Sequence, residues 1–344
     1  MARRMLRCIK DSRIGDPILA HAPGPAAAGA RSCHMLLATI ETRGLQLREY
    51  LSLTKPGIVL GNLVSFAGGF FLAARGRVDL ALLFFSAIGV ALVMASGCVC
   101  NNLADRDIDS AMGRTRRRAL VTGVISPMAA AVFAAVLGAL GFALLAASGG
   151  LLVVAVVLAG FVDYAVLYTL HWKRSSVHGT LVGSLAGATA PVAGYCAASG
   201  RFDRAAALLL VIYCLWQMPH AYAIAISRLH DYRAAGIPVL PALRGVARTK
   251  RHITVFIVAF LAAAFTLPLL HYVGWAYCLA MAVVGGGWLR IAGNGRRAAD
   301  DRAWARSVFG FSLVVVIVLS AMLAIDTLAP AGGSAPREVP AVGA

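Results

Sequence analysis

Acidic residues and asparagines are concentrated between residues 101 and 109, in the run Asn-Asn-Leu-Ala-Asp-Arg-Asp-Ile-Asp. Asn101, Asp105 and Asp109 are four residues apart, so on a helix they share one face and each lies about 6 Å further along the axis. Carboxylates at that interval repel one another unless a cation lies between them, and Mg²⁺ prefers oxygen ligands drawn from carboxylates and phosphates. We therefore predict a magnesium site at these three residues, with Asp107 pointing elsewhere.

A basic run follows directly, from Arg114 to Arg118, in which only Thr115 is uncharged. Acidic residues followed by arginines are the arrangement expected for a metal-bridged polyphosphate, because guanidinium groups bind the free phosphate oxygens. A solvated loop would explain the arginines equally well, but it gives no reason for carboxylates spaced four residues apart. The segment is therefore interpreted as a site for a magnesium-bound diphosphate.

A second group of polar residues, Arg-Leu-His-Asp-Tyr-Arg, lies at 228–233 and is followed by Gly-Ile-Pro-Val-Leu-Pro at 236–241. Asp231 is the only acidic residue of this loop, and it would face the first cluster across a cavity if the preceding apolar stretches lie together. The prolines cannot continue a helix. We expect this segment to fold over the cavity as a lid.

The composition indicates which elements carry these residues. The chain is 60% hydrophobic and 14% charged, whereas soluble domains are about half apolar and about a quarter charged. Apolar stretches able to cross a hydrocarbon layer of about 30 Å lie near 57–74, 80–100, 127–147, 150–170, 179–198, 205–226, 253–271, 274–292 and 308–328. In lipid each backbone amide must be bonded within its own segment. The predicted fold class is an all-α, polytopic membrane bundle of about nine transmembrane helices.

Basic residues are concentrated in every second loop. These loops contain Arg106, Arg114, Arg116, Arg117, Arg118, Lys173, Arg174, Arg228, Arg233, Arg244, Arg248, Lys250, Arg251, Arg290, Arg296, Arg297, Arg302 and Arg306. The opposite loops contain only Arg75, Arg77, Arg201 and Arg204. Because basic loops stay in the cytoplasm, we predict a cytoplasmic N-terminus and a cytoplasmic acidic cluster. The same loops account for the net charge of +17, so this charge does not indicate nucleic-acid binding.

The two ends of the chain differ from the apolar part. Residues 1–47 are basic, then rich in Ala, Pro and Gly, and lack the continuous apolar segment of a secretory signal. We predict a disordered tail there, with Met35 as the true translation start. Residues 48–328 form the predicted membrane domain, and 329–344 a second disordered tail. The seven cysteines show no disulfide framework.

Several blocks of the sequence resemble the UbiA superfamily of intramembrane prenyltransferases and, more narrowly, its protoheme IX farnesyltransferase family. The blocks are Thr54–Gly57 with Gly61–Leu63, Asn101–Asp109, Arg114–Thr115, Lys173–Ser175 with Gly179–Leu181, Leu215–His220, Asp231–Tyr232 with Ile237–Pro241, and Asp300–Arg302 with Trp304–Arg306. The resemblance runs from about residue 48 to 328. Its most specific parts, Trp216–His220 and Asp231–Pro241, separate this family from relatives that prenylate quinone rings or chlorophyllide.

The resemblance implies transfer of the farnesyl group of farnesyl diphosphate to a vinyl group of heme B, with addition of water, giving heme O and diphosphate. Heme B would be a substrate, and Mg²⁺ the cofactor. The implied metal ligands and catalytic residues are Asn101, Asp105, Asp109 and Asp231. The implied diphosphate-binding residues are Arg114, Arg118, Lys173, Arg174 and Arg228, while the farnesyl chain would lie among the apolar helices.

His220 follows a proline near the end of the sixth apolar stretch, where an ionisable residue is a candidate for function. Heme iron binds histidine readily, so His220 is a candidate iron ligand; the alternative is a packed histidine bonded to a neighbouring helix. Many relatives carry a second D-x-x-x-D motif, but here Ser227 and Ala235 stand four residues from Asp231. A second metal ion on that side is therefore left open, with Arg228 as its electrostatic substitute.

Two other functions stay open at this point: prenyl transfer to another acceptor, such as a quinone precursor, and non-enzymatic heme delivery or transport. The block at 216–220 argues against the first. A transporter concentrates polar residues near the bilayer midplane, whereas this chain places them at one rim. The resemblance also implies the bacterial inner membrane, with terminal oxidase assembly proteins or a heme A synthase as candidate partners.

Overall fold

The computed structural model describes residues 47–328. Residues 47–51 belong to a separate compact unit, and every element below lies in the unit that begins at Ser52. In this part of the chain, nine helices are long and apolar enough to cross a membrane: α1 (Pro56–Ala74), α2 (Leu80–Ala104), α3 (Pro127–Ser148), α4 (Gly150–Ser175), α5 (Gly179–Ser199), α6 (Arg204–Ser227), α7 (Val246–Leu269), α8 (Trp275–Arg297) and α9 (Asp301–Thr327). The predicted tails, with the proposed start at Met35, lie outside the described residues except for Leu47.

These helices confirm the predicted helical fold and spans, and two begin earlier than expected. Helix α7 begins at Val246 and α9 at Asp301, seven residues before the apolar sequence in each case. The extensions are held together where α7, α8 and α9 meet, because the Lys250 ammonium donates to the Gly295 carbonyl (2.6 Å) and to the Asp301 carboxylate. The same ammonium lies 5.1 Å from the centroid of the Trp304 ring.

Short helices follow the two spans whose loops carry the acidic residues. Arg106–Ala111 and Ala119–Thr122 follow α2, and Leu229–Ala234 and Leu240–Arg244 follow α6. Within α4, the stretch Asp163–Trp172 is a π-helix. Its wider turn changes the direction in which the following side chains point.

Asp163, an acidic residue within an apolar span, begins this π-helical stretch. Its carboxylate accepts a hydrogen bond from the backbone N–H of Ala186 in α5 at 3.0 Å. Asp163 is buried and does not line the cavity described below. It therefore connects α4 to α5 where the two helices frame that cavity.

Helices α1 and α5 approach each other so closely that only glycine fits at two positions. A Cβ at Gly69 would lie 1.9 Å from the Pro191 carbonyl oxygen, and one at Gly194 would lie 2.0 Å from that of Phe66. Small residues allow such contacts between helices in lipid. This closely packed pair of helices forms one side of the cavity.

Candidate active site

A cavity of about 840 Å³ lies between α1, α2, α4, α5, α6 and α9. One end, called the mouth, is lined by the charged or polar residues Lys55, Asn101, Asp105, Asp109, Arg114, Arg118, Lys173, Arg228 and Asp231. The other end, called the chamber, is lined mainly by apolar and aromatic residues: Val93, Met94, Phe161, Tyr213, Trp216, Gln217, His220, Phe309 and Leu313. Helices α3, α7 and α8 contribute none of the lining in the described part of the chain.

The acidic run is helical on both sides of a small break. Helix α2 ends at Ala104, and a short helix resumes at Arg106. Backbone bonds from Asp105 N to Asn101 O (3.0 Å) and from Asp109 N to Asp105 O (2.7 Å) keep the helical register across the break. Asn101, Asp105 and Asp109 all reach the mouth as a result, and both carboxylates are buried.

Asp105 lies at the centre of the mouth network and is only 2% exposed. Its Oδ2 accepts hydrogen bonds from Lys173 Nζ at 2.5 Å and from Asn101 Nδ2 at 2.9 Å. Its Oδ1 is buried and accepts no hydrogen bond from any described residue; Arg174 Nη2 lies 3.8 Å from this atom. An unsatisfied buried carboxylate oxygen is costly, so this atom is a natural position for a further cation or donor.

Asn101 is held by two residues that the sequence did not assign to the site. Lys55 Nζ donates to Asn101 Oδ1 at 2.6 Å, and Asn101 Nδ2 donates to Thr169 Oγ1 at 3.0 Å. Lys55 precedes α1 with a left-handed backbone (φ 52°), and burial lowers the pKa of its ammonium to about 8. Lys55 belongs to the Thr-Lys-Pro-Gly block, and this block is the sequence feature that could have identified it as a site residue.

Asp109 is held by Arg118 and by two further residues that were missed. Arg118 Nη1 is 2.5 Å from Asp109 Oδ2 and 2.9 Å from Asn102 Oδ1. Asn102 in turn donates to the carbonyl of Leu53 at 2.9 Å, and Thr115 Oγ1 donates to the Asp109 carbonyl at 3.0 Å. These contacts fix the basic loop against the acidic helix.

Asp231 reaches the mouth from the opposite loop. A Cβ at Gly113 would lie 4.0 Å from Asp231 Oδ1, so the loops after α2 and α6 meet here as expected. The Asp231 carboxylate forms no ion pair with any described residue. Arg114 and Arg228 line the same side, and partial burial, then repulsion from Arg228 and Arg118, lowers the pKa of Arg114.

Arg174 does not line the cavity, although its neighbour Lys173 does. Its guanidinium donates to both oxygens of Asp107, at 2.7 and 2.8 Å, and to the Ala104 carbonyl at 2.6 Å. The hydrogen bond from Arg174 lowers the pKa of Asp107 to about 2. Asp107 points away from the cavity, as expected. Arg174 was expected to bind the diphosphate, but its guanidinium pairs with Asp107 outside the cavity.

The proline-containing segment lies at the mouth. Ile237, Pro238 and Val239 line the cavity. Ile237 is buried against Ile108 and Met112 in a small apolar cluster. The segment therefore packs on the acidic helix, in the position expected for a lid.

Two stacked tyrosines lie between the mouth and the chamber. The rings of Tyr164 and Tyr168, both on the π-helical stretch, are 6.0 Å apart and nearly parallel, at 14°. Glycines make room for them, because a Cβ at Gly97 would lie 3.2 Å from Tyr164 and one at Gly183 3.0 Å from Tyr168. Both tyrosines line the cavity.

His220 lies in the chamber between two aromatic rings. Its ring centroid is 4.8 Å from that of Trp216 and 4.9 Å from that of Phe309. Its Nδ1 is 2.8 Å from Ser312 Oγ, which donates to the Phe309 carbonyl at 2.5 Å. Since that hydroxyl proton is already used, Ser312 accepts from Nδ1–H, which leaves the lone pair on Nε2. The histidine is both packed against a neighbouring helix and able to bind a metal through Nε2.

The nine-span bundle of the described residues contains a cavity with a polar mouth and an apolar chamber. The sequence model of the UbiA prenyltransferase family matches residues 62–316, and the chain belongs to this family. Two relatives are the protoheme IX farnesyltransferases of Escherichia coli (strain K12) and Shigella boydii serotype 4 (strain Sb227). Each is 50% identical over 286 residues, which cover 83% of this chain and 97% of the relative.

Solved structures show the same fold. A UbiA homolog from Aeropyrum pernix K1 has a TM-score of 0.66 and 21% identity, covering 78% of this chain and 99% of that one. A UbiA homolog from Archaeoglobus fulgidus bound to GPP and Mg²⁺ has a TM-score of 0.63 and 19% identity, covering 80% and 99%. These comparisons confirm the predicted family and the helical bundle.

Proposed function

We propose that this chain transfers the farnesyl group of farnesyl diphosphate to a vinyl group of heme B, with addition of water, to give heme O and diphosphate. The observation that carries the proposal is a single cavity with an oxygen-rich, basic mouth and a chamber that contains His220 between aromatic rings. The 50% identity to protoheme IX farnesyltransferases over 97% of their length supports the same acceptor.

The residues of the mouth fit a magnesium ion. Asn101, Asp105, Asp109 and Asp231 supply oxygen donors, and Asp105 Oδ1 is buried without a hydrogen bond from the described residues. No group of three or more His, Cys, Asp or Glu residues in the described chain is close enough to hold a metal unaided. Mg²⁺ commonly takes one or two carboxylates and completes its shell with phosphate oxygens and water. When bound, the ion would neutralise charge on the leaving diphosphate.

The basic residues of the mouth would bind the diphosphate oxygens. Lys173 and Arg118 already lie 2.5 Å from Asp105 and Asp109, and Lys55 lies next to Asn101, so each is held by a buried partner before substrate arrives. Arg114 and Arg228, which line the mouth nearby, are positioned for the outer phosphate. Such preorganised charge stabilises the leaving group as the allylic C–O bond breaks.

The chamber would bind the two apolar substrates and exclude bulk water. The farnesyl chain would extend from the mouth along Met94, Phe161 and Leu313, while His220 Nε2 would bind the heme iron. Water has to be excluded because the allylic cation must meet the vinyl group before it is hydrolysed. Tyr164 and Tyr168 lie where that cation would form, and aromatic faces stabilise cations.

We also propose that the chain lies in the bacterial inner membrane with its mouth facing the cytoplasm. The basic loops on the side of the mouth support this orientation. Single cysteines at Arg117 and Arg201, in a chain whose native cysteines are replaced, would test it with a membrane-impermeant thiol reagent on spheroplasts. Labelling at 201 and not at 117 is expected, and the reverse pattern would contradict the proposal. Terminal oxidase assembly proteins or a heme A synthase are then candidate recipients of the product.

The activity test uses the full chain purified in detergent. Incubation with heme B, farnesyl diphosphate and Mg²⁺ should yield a heme heavier by one farnesyl group and one hydroxyl group, detected by chromatography and mass spectrometry. The product should be absent with EDTA. Folded, heme-binding protein that yields no modified heme would support heme delivery instead, and diphosphate release without heme modification would indicate another prenyl acceptor.

A further inference from the structure

Gln217 carries a polar amide in the chamber that has no partner among the described residues. Its side chain lines the cavity, one turn of α6 deeper than His220, and its amide makes no hydrogen bond to any residue between 47 and 328. By contrast, cavity-lining Asn62, Thr189 and Tyr213 each bond a neighbouring backbone or side-chain oxygen. An amide that faces a cavity without a protein partner has to bond to water or to a polar ligand there.

The amide lies directly on Gly187 of α5. A Cβ at position 187 would be 2.9 Å from Gln217 Oε1 and 3.4 Å from Nε2. Only glycine leaves the amide in this place without a shift. Gly187 also lines the cavity.

The backbone carbonyl of Gly187 is a second polar group on this cavity-lining residue. Pro191 lies four residues further along α5, inside the helix, and has no N–H to donate. The Gly187 carbonyl therefore lacks its regular helical donor. A water molecule needs two to four polar partners to be held in a protein, and the Gln217 amide with this carbonyl provides a donor and two acceptors.

We propose that Gln217 and the Gly187 carbonyl hold the water molecule that adds to the farnesylated heme. This inference rests on the function proposed above. One helical turn is about 5 Å, comparable with the distance from a porphyrin iron to its ring substituents, so the amide lies within reach of the substituents of a heme bound at His220.

The proposed step consumes farnesyl diphosphate, a heme vinyl group and one water molecule. The farnesyl C1–O bond breaks, diphosphate leaves with the electron pair, and C1 bonds to the terminal vinyl carbon, which places a cation on the carbon next to the porphyrin ring. The oxygen of the held water bonds to that carbon and loses one proton to the released diphosphate. Without a positioned water, the same cation loses a proton from the adjacent CH₂ group and gives an alkene that is lighter than heme O by one water.

The test compares products rather than rates. Full-length wild type, Gln217→Met and Gly187→Ala are each incubated with heme B, farnesyl diphosphate and Mg²⁺. The hydrated and unhydrated farnesyl hemes are then quantified by mass spectrometry, with diphosphate release measured in parallel. Methionine keeps the length of the side chain but cannot hydrogen bond strongly, so the ratio of unhydrated to hydrated product should rise about tenfold, the effect of one lost hydrogen bond.

Gly187→Ala should shift the ratio in the same direction but less, because the amide end can move by a few tenths of an ångström. If Gln217→Met fails to fold, the product ratio of Gly187→Ala tests the position of the water by itself. The control is Thr189→Val, which removes a cavity hydroxyl that is already bonded to Leu185 and should leave the ratio unchanged. If both test variants keep the wild-type product ratio, with or without a raised KM for heme, the role of Gln217 in holding water is overturned. The proposed function is not affected by that result. Wild type that makes no farnesylated heme would overturn the proposed function and this inference with it.

Discussion

The mouth and the chamber belong to one cavity but hold their polar groups in opposite ways. In the mouth, buried groups are linked to one another: Lys173 binds Asp105, Asp105 binds Asn101, and Asn101 binds Lys55. In the chamber, polar groups have fewer contacts: His220 bonds to the hydroxyl of Ser312, and Tyr213 bonds to that of Ser320. Because an unpaired buried charge is costly, we expect the charged diphosphate in the mouth and the heme ring in the chamber.

The comparison also indicates how each region tolerates change. A linked network loses several contacts when one member is replaced, and its members do not act additively. An isolated group loses only its own contact. Substitutions in the mouth should therefore have larger effects than those in the chamber, and substitutions outside the cavity should have smaller effects still.

The largest effect is expected for Asp105→Asn. This change keeps the shape of the side chain but removes the charge that holds Lys173 and that would bind Mg²⁺. We expect kcat/KM for farnesyl diphosphate to fall about a thousandfold, measured as initial diphosphate release. The matched control is Asp107→Asn, two residues away and paired with Arg174 outside the cavity, which should stay close to wild type. Equal losses in the two variants would remove the distinction between the cavity and the outer face of this helix.

Lys55→Met should have the next largest effect. It removes one charge-assisted contact from the mouth, so KM for farnesyl diphosphate should rise about tenfold to a hundredfold, with a smaller change in kcat. Lys55→Arg, which restores the charge, should recover part of the loss. A normal KM in Lys55→Met would show that this lysine only supports the fold at the start of α1.

In the chamber, Ser312→Ala should release Nδ1 of His220 and leave its tautomer and ring orientation undefined. We expect heme affinity to fall about tenfold and the absorption spectrum of the bound heme to change, with KM for farnesyl diphosphate unaltered. Ser307→Ala, on the exposed side of the same helix, is the control. An unaltered heme spectrum in Ser312→Ala would argue against His220 as the iron ligand.

The smallest effect is expected outside the cavity, for Lys250→Met. This lysine joins α7, α8 and α9 through Gly295 and Asp301, but Asp301 is 46% exposed at its side chain, so screening by solvent limits the contribution. The free energy of unfolding should fall by about 1 kcal/mol, seen as a lower thermal midpoint in detergent, while kcat/KM is unchanged. If the variant lost activity while its thermal midpoint stayed at the wild-type value, these three helices would be shown to influence the cavity.

The sequence by itself was sufficient for the helical fold and for the acidic face. In lipid, the backbone N–H and C=O groups of a segment must form hydrogen bonds within that segment. The long apolar stretches are therefore helices. The spacing of Asn101, Asp105 and Asp109 is a local property of a helix, and it survives the break at Asp105 because the backbone bonds continue. The orientation of the bundle in the membrane is also a prediction from sequence alone, and it stays one until labelling tests it.

Only the tertiary structure decided which residues meet across the cavity. Lys55 reaches Asn101 from 46 residues away, and Ser312 reaches His220 from 92 residues away. Lys173 and Arg174 are neighbours in sequence, yet one lines the mouth and the other pairs with Asp107, because successive side chains on a helix point in different directions. Local spacing carries no information about such contacts, since they depend on how the helices pack around α5 and on the π-helical stretch that redirects the end of α4.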